Sequence, residues 1–502
     1  MTSNTQKMVK RPPVVAILGH IDHGKSTLLD YIRKSNVVAG EAGGITQHIS
    51  TYEITHTDKE HGERKITFVD TPGHEAFRDV RSRGARIADI AILIVSAEDG
   101  VMPQTIEAIS CIKNDKVPFI VAINKIDSPR ADVERTKSSL IENEVYIEGY
   151  GGDVPVVPIS AKSGQGINEL LSMIILVSEL ENLEMNTDKK ATGVVVEAHK
   201  DEKRGISATV IIKDGTLSIG DFVSGHTSMS PVRSIEDTSG NKHKEVSASK
   251  PITIYGWTSL PPVGTFFETF ATKKEAEEYC KNCASLSENP QKERKLEQRN
   301  DFEIIPIIIK TDVSGTGEAV KFELNKIKNE RVDFHILENT TGIISETDLK
   351  TASADPKTIV VGMGVGIDPR AEILRERNGT IVANFKIIYE LVDWLKEIVK
   401  ERTPKILVEE VRGNAKVLAT FSQTKKVQVI GGKVTSGTIS TGNSVRILRR
   451  GEKIGTGVIK ELQQQRVISK QVNEGNEFGT SVAADVEIAQ GDTLEVVVQI
   501  EQ

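Results

Sequence analysis

The residues with the clearest chemical meaning form a glycine-rich segment near the start of the sequence, Gly-His-Ile-Asp-His-Gly-Lys-Ser at 19–26. An apolar run precedes the segment, and a run with helical spacing follows it. This context is typical of G-x-x-x-x-G-K-[ST], whose backbone N–H groups and lysine bind nucleotide phosphates at a helix N-terminus. The residues predicted to surround the phosphates are Gly19, Asp22, His23, Gly24, Lys25, Ser26 and Thr27.

Residues that could bind Mg²⁺ and sense the γ-phosphate follow this loop. Ser26 offers a hydroxyl to Mg²⁺, and Asp70, in Asp-Thr-Pro-Gly after an apolar run, can hold the ion through water. The N–H of Gly73 is predicted to contact the γ-phosphate. Thr46 follows two glycines and is predicted to bind Mg²⁺ and the γ-phosphate until hydrolysis. His74 is the candidate catalytic residue, because it could orient the attacking water; the alternative is a surface histidine at a helix start.

A third group of residues predicts recognition of guanine. Asn-Lys-Ile-Asp at 124–127 ends an apolar strand, and the carboxylate of Asp127 can accept from N1–H and the exocyclic amine of guanine. Adenine does not offer these two donors together, so it would leave the carboxylate unpaired. Asn124 is predicted to support the loop and Lys125 to lie over the base. A later loop, Ser160-Ala161-Lys162, is predicted to offer a backbone N–H to guanine O6.

The elements needed to position these residues follow from hydrophobic patterning. Apolar strands alternate with helical patterns in the first part of the chain, which predicts a parallel sheet with the motifs at the strand carboxyl ends. Short β-branched runs between glycine turns predict barrels further on. The fold class is therefore α/β with two barrels. The predicted regions are a polar tail at 1–13, a P-loop GTPase domain at 14–187, a β-barrel at 188–272, a helical linker at 273–300, an α/β domain at 301–385, a connecting helix at 386–404 and a second barrel at 405–502.

Composition limits the classes of protein to consider. The net charge of −7 argues against an electrostatic grip on nucleic acid by the whole chain. Three cysteines indicate a reducing compartment, and Cys280 and Cys283 are interpreted as incidental thiols because no second pair or nearby histidine completes a zinc site. The sequence has no apolar run long enough for a membrane span and no secretory signal, so a cytoplasmic protein without membrane contact is expected.

Several runs together resemble bacterial translation initiation factor two. The resemblance rests on Gly-His-Ile-Asp-His-Gly-Lys-Ser at 19–26, Ala-Gly-Gly-Ile-Thr-Gln-His at 42–48, Asp-Thr-Pro-Gly-His-Glu-Ala-Phe at 70–77, Asp-Gly-Val-Met-Pro-Gln-Thr at 99–105, Ala-Ile-Asn-Lys-Ile-Asp at 122–127, Asp-Gly-Thr-Leu-Ser-Ile-Gly-Asp at 214–221, Ile-Ile-Lys-Thr-Asp-Val-Ser-Gly at 308–315 and Phe-Lys-Ile-Ile-Tyr-Glu-Leu at 385–391. It covers nearly the whole chain. The region preceding residue 14 is short, so the long N-terminal extension of many bacterial members is expected to be absent, and the sequence leaves open whether Met1 is the natural start.

The resemblance implies a function and partners. The family binds GTP or GDP with Mg²⁺, holds formylmethionyl initiator tRNA on the small ribosomal subunit, and promotes joining of the large subunit, which triggers hydrolysis. His74 would face the attacking water, and Asp22 would help to place a monovalent cation near the phosphates. Contacts with other initiation factors and a monomeric state away from the ribosome are also implied. The connecting helix would lead to the final barrel, which grips the tRNA end.

The final barrel departs from the family pattern. Glu477-Phe478-Gly479 stands where the family has Glu-Cys-Gly, and Gln463–Arg466 replaces a basic-aromatic stretch. Phe478 could form an apolar floor for a methionyl group, or it could be core packing. The segment from 405 to 502 has 13 lysines and arginines against 11 acidic residues. Its arginines could contact phosphate or the terminal adenosine, or could lie on a solvated strand face: Arg446, Arg449, Arg450 and Arg466.

Two other functions remain compatible with these departures. A nucleotide-regulated, ribosome-binding scaffold would keep the guanine site and lack initiator-tRNA binding. An elongation-type GTPase would deliver tRNA to the ribosome, but that class is expected to have three domains without a fourth attached through a helix.

Overall fold

The computed structural model describes residues 8–33, 47–58, 62–201, 204–286, 303–327, 329, 331–403, 407–424 and 427–501. The chain forms two compact units, Met1–Arg402 and Thr403–Gln502. The first contains a nucleotide-binding type of α/β sheet, an antiparallel barrel, a second parallel sheet and a long helix. The predicted α/β fold class with two barrels is confirmed.

The first region is built on a six-stranded sheet in which only the edge strand β3 is antiparallel. Its central strands are buried along their whole length, as continuous apolar runs in a parallel sheet require. The strands of this region, in chain order, are β1 (Met8–Lys10), β2 (Val14–Gly19), β3 (Ser50–Asp58), β4 (Gly62–Asp70), β5 (Ile90–Ser96), β6 (Phe119–Asn124), β7 (Val156–Pro158) and β8 (Glu184–Asn186). The sheet order is β3-β4-β2-β5-β6-β7, and β1 pairs with β8.

Helices cover this sheet and begin just after the strands that carry the motifs. They are α1 (Lys25–Arg33), α2 (Arg78–Ile87), α3 (Pro103–Asp115), α4 (Val133–Glu142) and α5 (Ile167–Leu180). Two short 3₁₀ turns, Ile21–His23 and Glu75–Phe77, precede α1 and α2. Because β2, β4, β5 and β6 are parallel neighbours, their carboxyl ends bring the motifs to one edge.

The barrel region has an eight-stranded antiparallel sheet with a small two-stranded addition. Its strands are β9 (Thr192–Asp201), β10 (Gly205–Asp214), β11 (Thr216–Ser218), β12 (Phe222–Gly225), β13 (Ser228–Pro231), β14 (Ile235–Asp237), β15 (Lys242–His243), β16 (Glu245–Ser247), β17 (Pro251–Tyr255) and β18 (Phe266–Phe270). Helix α6 (Lys273–Leu286) follows the last of them. Alternating β-branched residues fill the interior, which holds Val195, Val210, Ile252 and Phe267.

The next region is a four-stranded parallel sheet with helices, followed by a long helix. Its strands are β19 (Glu303–Thr311), β20 (Val332–Thr341), β21 (Ile359–Met363) and β22 (Ile381–Phe385), and its helices are α7 (Ser314–Ile327), α8 (Glu346–Ala352), α9 (Pro369–Asn378) and α10 (Ile388–Arg402). The amphipathic run predicts a helix from Lys386, but α10 begins at Ile388. At this start the side chain of Gln47 caps the helix, because its Oε1 accepts from the N–H of Ile388 and its Nε2 donates to the carbonyl oxygen of Lys386.

One apolar cluster joins the three regions of the first unit. It contains Phe77 and Val80 of the first region, Val196 of the barrel, and Ile307 and Leu391 of the later sheet and helix. All five side chains are buried. The cluster therefore fixes α10 against the first region, which matters for the site described below.

The second unit is a separate antiparallel barrel with its own apolar core. Its strands are β23 (Leu407–Thr424), β24 (Val427–Ser440), β25 (Ser444–Arg449), β26 (Glu452–Gln464), β27 (Val467–Ile468), β28 (Gln471–Asn473), β29 (Glu477–Ala484) and β30 (Thr493–Glu501). Across the described part of both units, none of the helices combines the length and the apolar composition that crossing a membrane would require.

Candidate functional site

The glycine-rich loop connects β2 to α1 and has the conformation that its glycines predict. Gly19 ends β2, a 3₁₀ turn spans Ile21–His23, and α1 begins at Lys25. Gly24 has φ of +87°, in the left-handed region that favours glycine. A Cβ at Gly24 would also overlap the side-chain amide of Asn124. Both reasons favour glycine here, at the start of α1, where the first N–H groups have no intrahelical acceptor.

Lys25 is the charged centre of this loop. Its side chain is almost entirely buried, and its Nζ donates to the carbonyl oxygens of Gly19 at 2.9 Å and His20 at 2.6 Å. Burial lowers the pKa of Lys25 to about 8, and the nearby Asp70 carboxylate acts in the opposite direction. A buried ammonium group that binds only main-chain carbonyls can exchange those contacts for phosphate oxygens at little structural cost.

His23 lies in the loop, but its imidazole turns toward the sheet. The side chain is fully buried, and Nδ1 lies 3.4 Å from the carbonyl oxygen of Ile94. Burial lowers the pKa of His23 to about 4, so the ring is neutral at pH 7. Any role of His23 at the phosphates therefore belongs to its main chain, whose carbonyl oxygen accepts from Asn124 at 2.8 Å.

The segment from Asp70 to Gly73 crosses directly over Lys25. Asp70 is the buried last residue of β4. An added Cβ at Gly73 would lie 2.6 Å from Lys25 Nζ and 3.2 Å from Ile21 Cα, so this segment lies close against both the lysine and the phosphate loop. The structure thus brings Lys25, Asp70 and Gly73 together, as their predicted roles require. The predicted ligand Thr46 lies outside the described residues.

Arg81 was not predicted from the sequence, yet it organises the same segment. Its guanidinium is buried, donates to the carbonyl oxygens of Gly73 at 3.0 Å and of His74, and binds Glu107 at 2.7 Å. Because guanidinium has five donors in one plane, a single side chain can fix several carbonyl groups. The sequence signal that could have identified it is an arginine on the apolar face of α2, between Val80 and Ala85.

The imidazole of His74 is held by contacts on two sides. It caps the turn that follows it, because its Nδ1 accepts from the N–H of Ala76 at 3.0 Å. On its other side the ring meets Tyr389 of α10 edge to face, with ring centroids 4.6 Å apart. Burial, and then the charges of Arg81 and Lys326, lower the pKa of His74 to about 4. The imidazole is therefore neutral at pH 7, and its proton is on Nε2 because Nδ1 accepts.

Asn124 joins the loops on the predicted guanine side. Its Nδ2 donates to the carbonyl oxygen of His23 at 2.8 Å, and its Oδ1 accepts from the N–H of Ala161 at 2.9 Å. The side chain is 2% exposed. A buried amide with a donor and an acceptor is the residue type that can satisfy both loops at once. It joins the two loops without itself facing solvent.

Asp127 lies just after the carboxyl end of β6. Its side chain is exposed, and its carboxylate can accept hydrogen bonds. Ser160 Oγ donates to its Oδ1 at 2.6 Å. This bond, together with the charge of Lys162, lowers the pKa of Asp127, so the carboxylate is ionised at pH 7. Lys125 has φ of +66° and places its ammonium 3.4 Å from Glu98 Oε2. The structure therefore brings the two predicted guanine-side segments, 124–127 and 160–162, to one place.

The residues present fit a nucleotide with Mg²⁺. The uncovered amides at Gly24 and the buried Lys25 match a polyphosphate, and hydroxyl and carboxylate oxygens are the ligands that Mg²⁺ prefers. Ser26, in the first turn of α1, and Asp70 would supply those oxygens. Asp22 and Thr27 are exposed beside the loop. Among the described residues, no group of three or more His, Cys, Asp or Glu side chains could hold a metal ion, and Cys280 instead lies 2.9 Å from Ser224 Oγ.

In the second unit, Phe478 belongs to the core and does not form an open floor. Its side chain is 5% exposed and packs with Ile430 and Leu462. Its cross-strand partner is Gly432, where an added Cβ would lie 2.7 Å from the ring. The ring of Phe478 therefore fills the space that is open because residue 432 has no side chain.

Two of the four candidate arginines in this unit are already neutralised by carboxylates. Arg446 pairs with Glu495 at 2.9 Å and with Glu409, and Arg449 binds Asp492 at 2.8 Å. These pairs favour the structural alternative for both residues. Arg450 and Arg466 are exposed in turns with positive φ. They remain the candidates for contacts with phosphate.

Three features define the class of P-loop GTP-binding proteins. They are a loop with a buried lysine, a D-x-x-G segment above it and an N-K-x-D strand end beside it. Comparison with family models agrees. Residues 10–179 match the model described as "Elongation factor Tu GTP binding domain", residues 190–270 match "Elongation factor G domain 2", and residues 282–396 match "Translation-initiation factor 2".

Curated relatives narrow the class to one family. "Translation initiation factor IF-2" of Syntrophomonas wolfei is 40% identical over 97% of this chain and 56% of the relative. The protein of the same name from Halothermothrix orenii is 39% identical over 97% of this chain and 71% of the relative. The crystal structure of GDP-bound aIF5B from Aeropyrum pernix aligns with 97% of this chain and 92% of that chain, at 25% identity and a TM-score of 0.47.

This chain belongs to the translation initiation factor IF-2 family. It spans only about half the length of some curated relatives: 56% of the protein from Syntrophomonas wolfei and 50% of the protein of the same name from Desulforamulus reducens. Family membership thus rests on nearly the whole of this chain, but on only part of those relatives.

Proposed function

We propose that this chain is a GTP-hydrolysing translation initiation factor that binds the ribosome, positions formylmethionyl initiator tRNA on the small subunit and promotes joining of the large subunit. One observation carries the nucleotide part of the proposal. Asn124 bridges the phosphate loop at His23 and the later loop at Ala161, so that the phosphate side and the base side form one site. Family membership supports the ribosomal part.

The chemistry of Asp127 selects the base. Its ionised carboxylate, held by Ser160, accepts two hydrogen bonds from the N1–H and amine edge of guanine. Adenine would leave this charged acceptor unpaired, which discriminates strongly. The N–H of Ala161 already donates to Asn124 Oδ1, so the loop Ser160-Ala161-Lys162, which is predicted to meet guanine O6, is fixed relative to the phosphate loop.

Each residue on the phosphate side has a separate task. Lys25 binds the β- and γ-phosphate oxygens, and Gly73 offers its N–H to the γ-phosphate. When bound, Mg²⁺ supplies charge neutralisation on the phosphates, and Ser26, Asp70 and Thr46 would hold it. His74 orients the water that attacks the γ-phosphate, and the large subunit stimulates this step. The resemblance of the sequence to the family and the family membership support these assignments.

The base assignment is tested with Asp127→Asn in the full chain. The amide offers a donor where guanine has its N1–H and amine, so we expect the variant to lose affinity for GTP and to gain affinity for xanthosine triphosphate. The expected change is on the order of tenfold or more in each direction, because one charged hydrogen-bond partner is mismatched. Titration with fluorescent nucleotides measures both affinities. Equal affinity of the unchanged chain for ATP and GTP would contradict the proposal.

A second candidate function is a nucleotide-regulated ribosome-binding scaffold that does not bind initiator tRNA. The burial of Phe478 against Gly432 favours it, because no apolar floor is open at that position. Protection of the ester bond of formylmethionyl-tRNA from hydrolysis distinguishes the two functions. The full chain is compared with a variant in which Arg450 and Arg466 are both replaced by glutamine. Protection that is lost in this variant supports the initiation factor, and absence of protection in the unchanged chain supports the scaffold.

A further inference from the structure

His74 has no free acceptor in the described arrangement. Its Nδ1 already accepts from the N–H of Ala76 at 3.0 Å, so the remaining nitrogen, Nε2, carries the proton and can only donate. A water that attacks phosphorus must give up protons, and so it needs an acceptor or a nearby cation. The neutral ring of His74 provides neither in this position. The imidazole must therefore leave Ala76 before it can accept a bond from the water.

Tyr389 of α10 opposes that movement. Its ring lies edge to face against His74 with an interplanar angle of 81°, and Phe77 lies on another side of the imidazole with ring centroids 6.2 Å apart. The other groups around this contact are charged and come from different elements: Arg81 of α2, Lys326 and Glu323 of α7, Glu75 of the turn and Asp22 of the phosphate loop. Tyr389 is the aromatic residue of α10 that contacts His74.

The start of α10 is attached to the segment that follows Thr46. Gln47 Nε2 donates to the carbonyl oxygen of Lys386 at 3.0 Å, and its Oε1 accepts from the N–H of Ile388 at 3.3 Å. Gln47 is 9% exposed, so both bonds are shielded from water. Gln47 follows the predicted γ-phosphate ligand in the sequence. Through its two hydrogen bonds it fixes the first turn of α10, which carries Tyr389.

We propose that Tyr389, fixed through Gln47, is a positioning residue that restrains His74 against Ala76 and keeps GTP hydrolysis slow until α10 moves. The proposal rests on the proposed GTPase function, and it adds the element that controls the candidate catalytic histidine. Loss of the two Gln47 bonds would release the first turn of α10, and His74 would then be free to turn toward the water.

Single-turnover GTP hydrolysis by the full chain without ribosomes tests the proposal. Loss of one edge-to-face aromatic contact in Tyr389→Ala should raise the rate about two- to tenfold. The affinity for GTP should be unchanged. Tyr389→Phe should behave as the unchanged chain, because the ring contact does not need the hydroxyl. Tyr150→Ala is the matched control, because Tyr150 is a comparably exposed tyrosine on a different face.

Two further variants separate a positioning role from a purely structural one. The double variant Tyr389→Ala/His74→Ala should lose the rate increase, because the effect passes through His74. Gln47→Ala should also raise the rate, and it replaces Tyr389→Ala if that variant does not fold. A rate for Tyr389→Ala that is equal to or below that of the unchanged chain overturns the proposal, as does an increase that persists in the double variant. Failure of the unchanged chain to bind or hydrolyse GTP would instead contradict the proposed function.

Discussion

Replacement of Asn124 by alanine tests the central feature of the site, the link between its phosphate side and its base side. The substitution removes two buried hydrogen bonds and leaves the carbonyl oxygen of His23 and the N–H of Ala161 without their partners. An unsatisfied buried group costs about 1–3 kcal/mol, so the two groups together cost about 2–6 kcal/mol. This cost divides between the free energy of unfolding and the free energy of nucleotide binding.

Two measurements on the same preparation determine how the cost divides. Urea unfolding, with and without GDP, gives the stability, and titration with fluorescent GDP gives the affinity. The lower limit of about 2 kcal/mol corresponds to roughly a 30-fold change in an equilibrium constant. Asn143→Ala is a suitable control, because it removes one side-chain bond to a helix carbonyl at 2.8 Å in the same region and away from the site.

The expected result is a loss in Asn124→Ala that clearly exceeds the loss in the control, in stability, in affinity or in both. If both quantities stay within about 0.5 kcal/mol of the unchanged chain, as for an ordinary surface substitution, the bridge does not join the two loops. The base and the phosphates would then be recognised independently, which contradicts the geometric basis of the proposed function.

Two other predictions concern stability. Gly432→Ala should lower the free energy of unfolding by about 1–3 kcal/mol, because the new Cβ meets both the carbonyl oxygen of Lys416 and the ring of Phe478; chemical denaturation measures this, and adding Phe478→Leu should restore only the part of the loss that is due to the ring. Stability should also fall as the pH drops from about 6.5 to about 4. The reason is that His23 and His74 have a pKa of about 4 when folded, so only the unfolded chain takes up those protons. A urea midpoint that is as steep in pH for His74→Gln as for the unchanged chain would exclude His74 from this effect.

The strands that carry the motifs could be predicted because their signals are local. Asn124, which the sequence places at the end of an apolar strand, is the last residue of β6, and β2 ends at Gly19 where the glycine-rich turn begins. Apolar runs of this length report burial on both faces of a parallel sheet. The sequence does not show which distant side chain caps an element. The start of α10 is such a case, because Gln47, 339 residues before Lys386 in the chain, binds the backbone groups at 386 and 388.

For several candidate residues, the chemistry depends on the groups that surround them in the folded chain. The type of residue at 74 permits it to orient a water by hydrogen bonding or by charge, but burial, Arg81 and Lys326 decide that its imidazole is neutral. The sequence left open whether Phe478 forms a ligand floor or part of the core, and its pairing with Gly432 decides for the core. Arg446 and Arg449 could not be separated from Arg450 and Arg466 until their carboxylate partners were located.

The sequence alone determined the residue types that can bind a guanine nucleotide and the strand ends on which they lie, because periodicity and glycine turns are properties of neighbouring residues. The tertiary structure alone decided that Arg81 organises the Gly73 segment, that Asn124 joins two loops, and that Tyr389 of α10 contacts His74. These contacts join positions far apart in the chain. They depend on how the elements pack, and no local pattern encodes that packing.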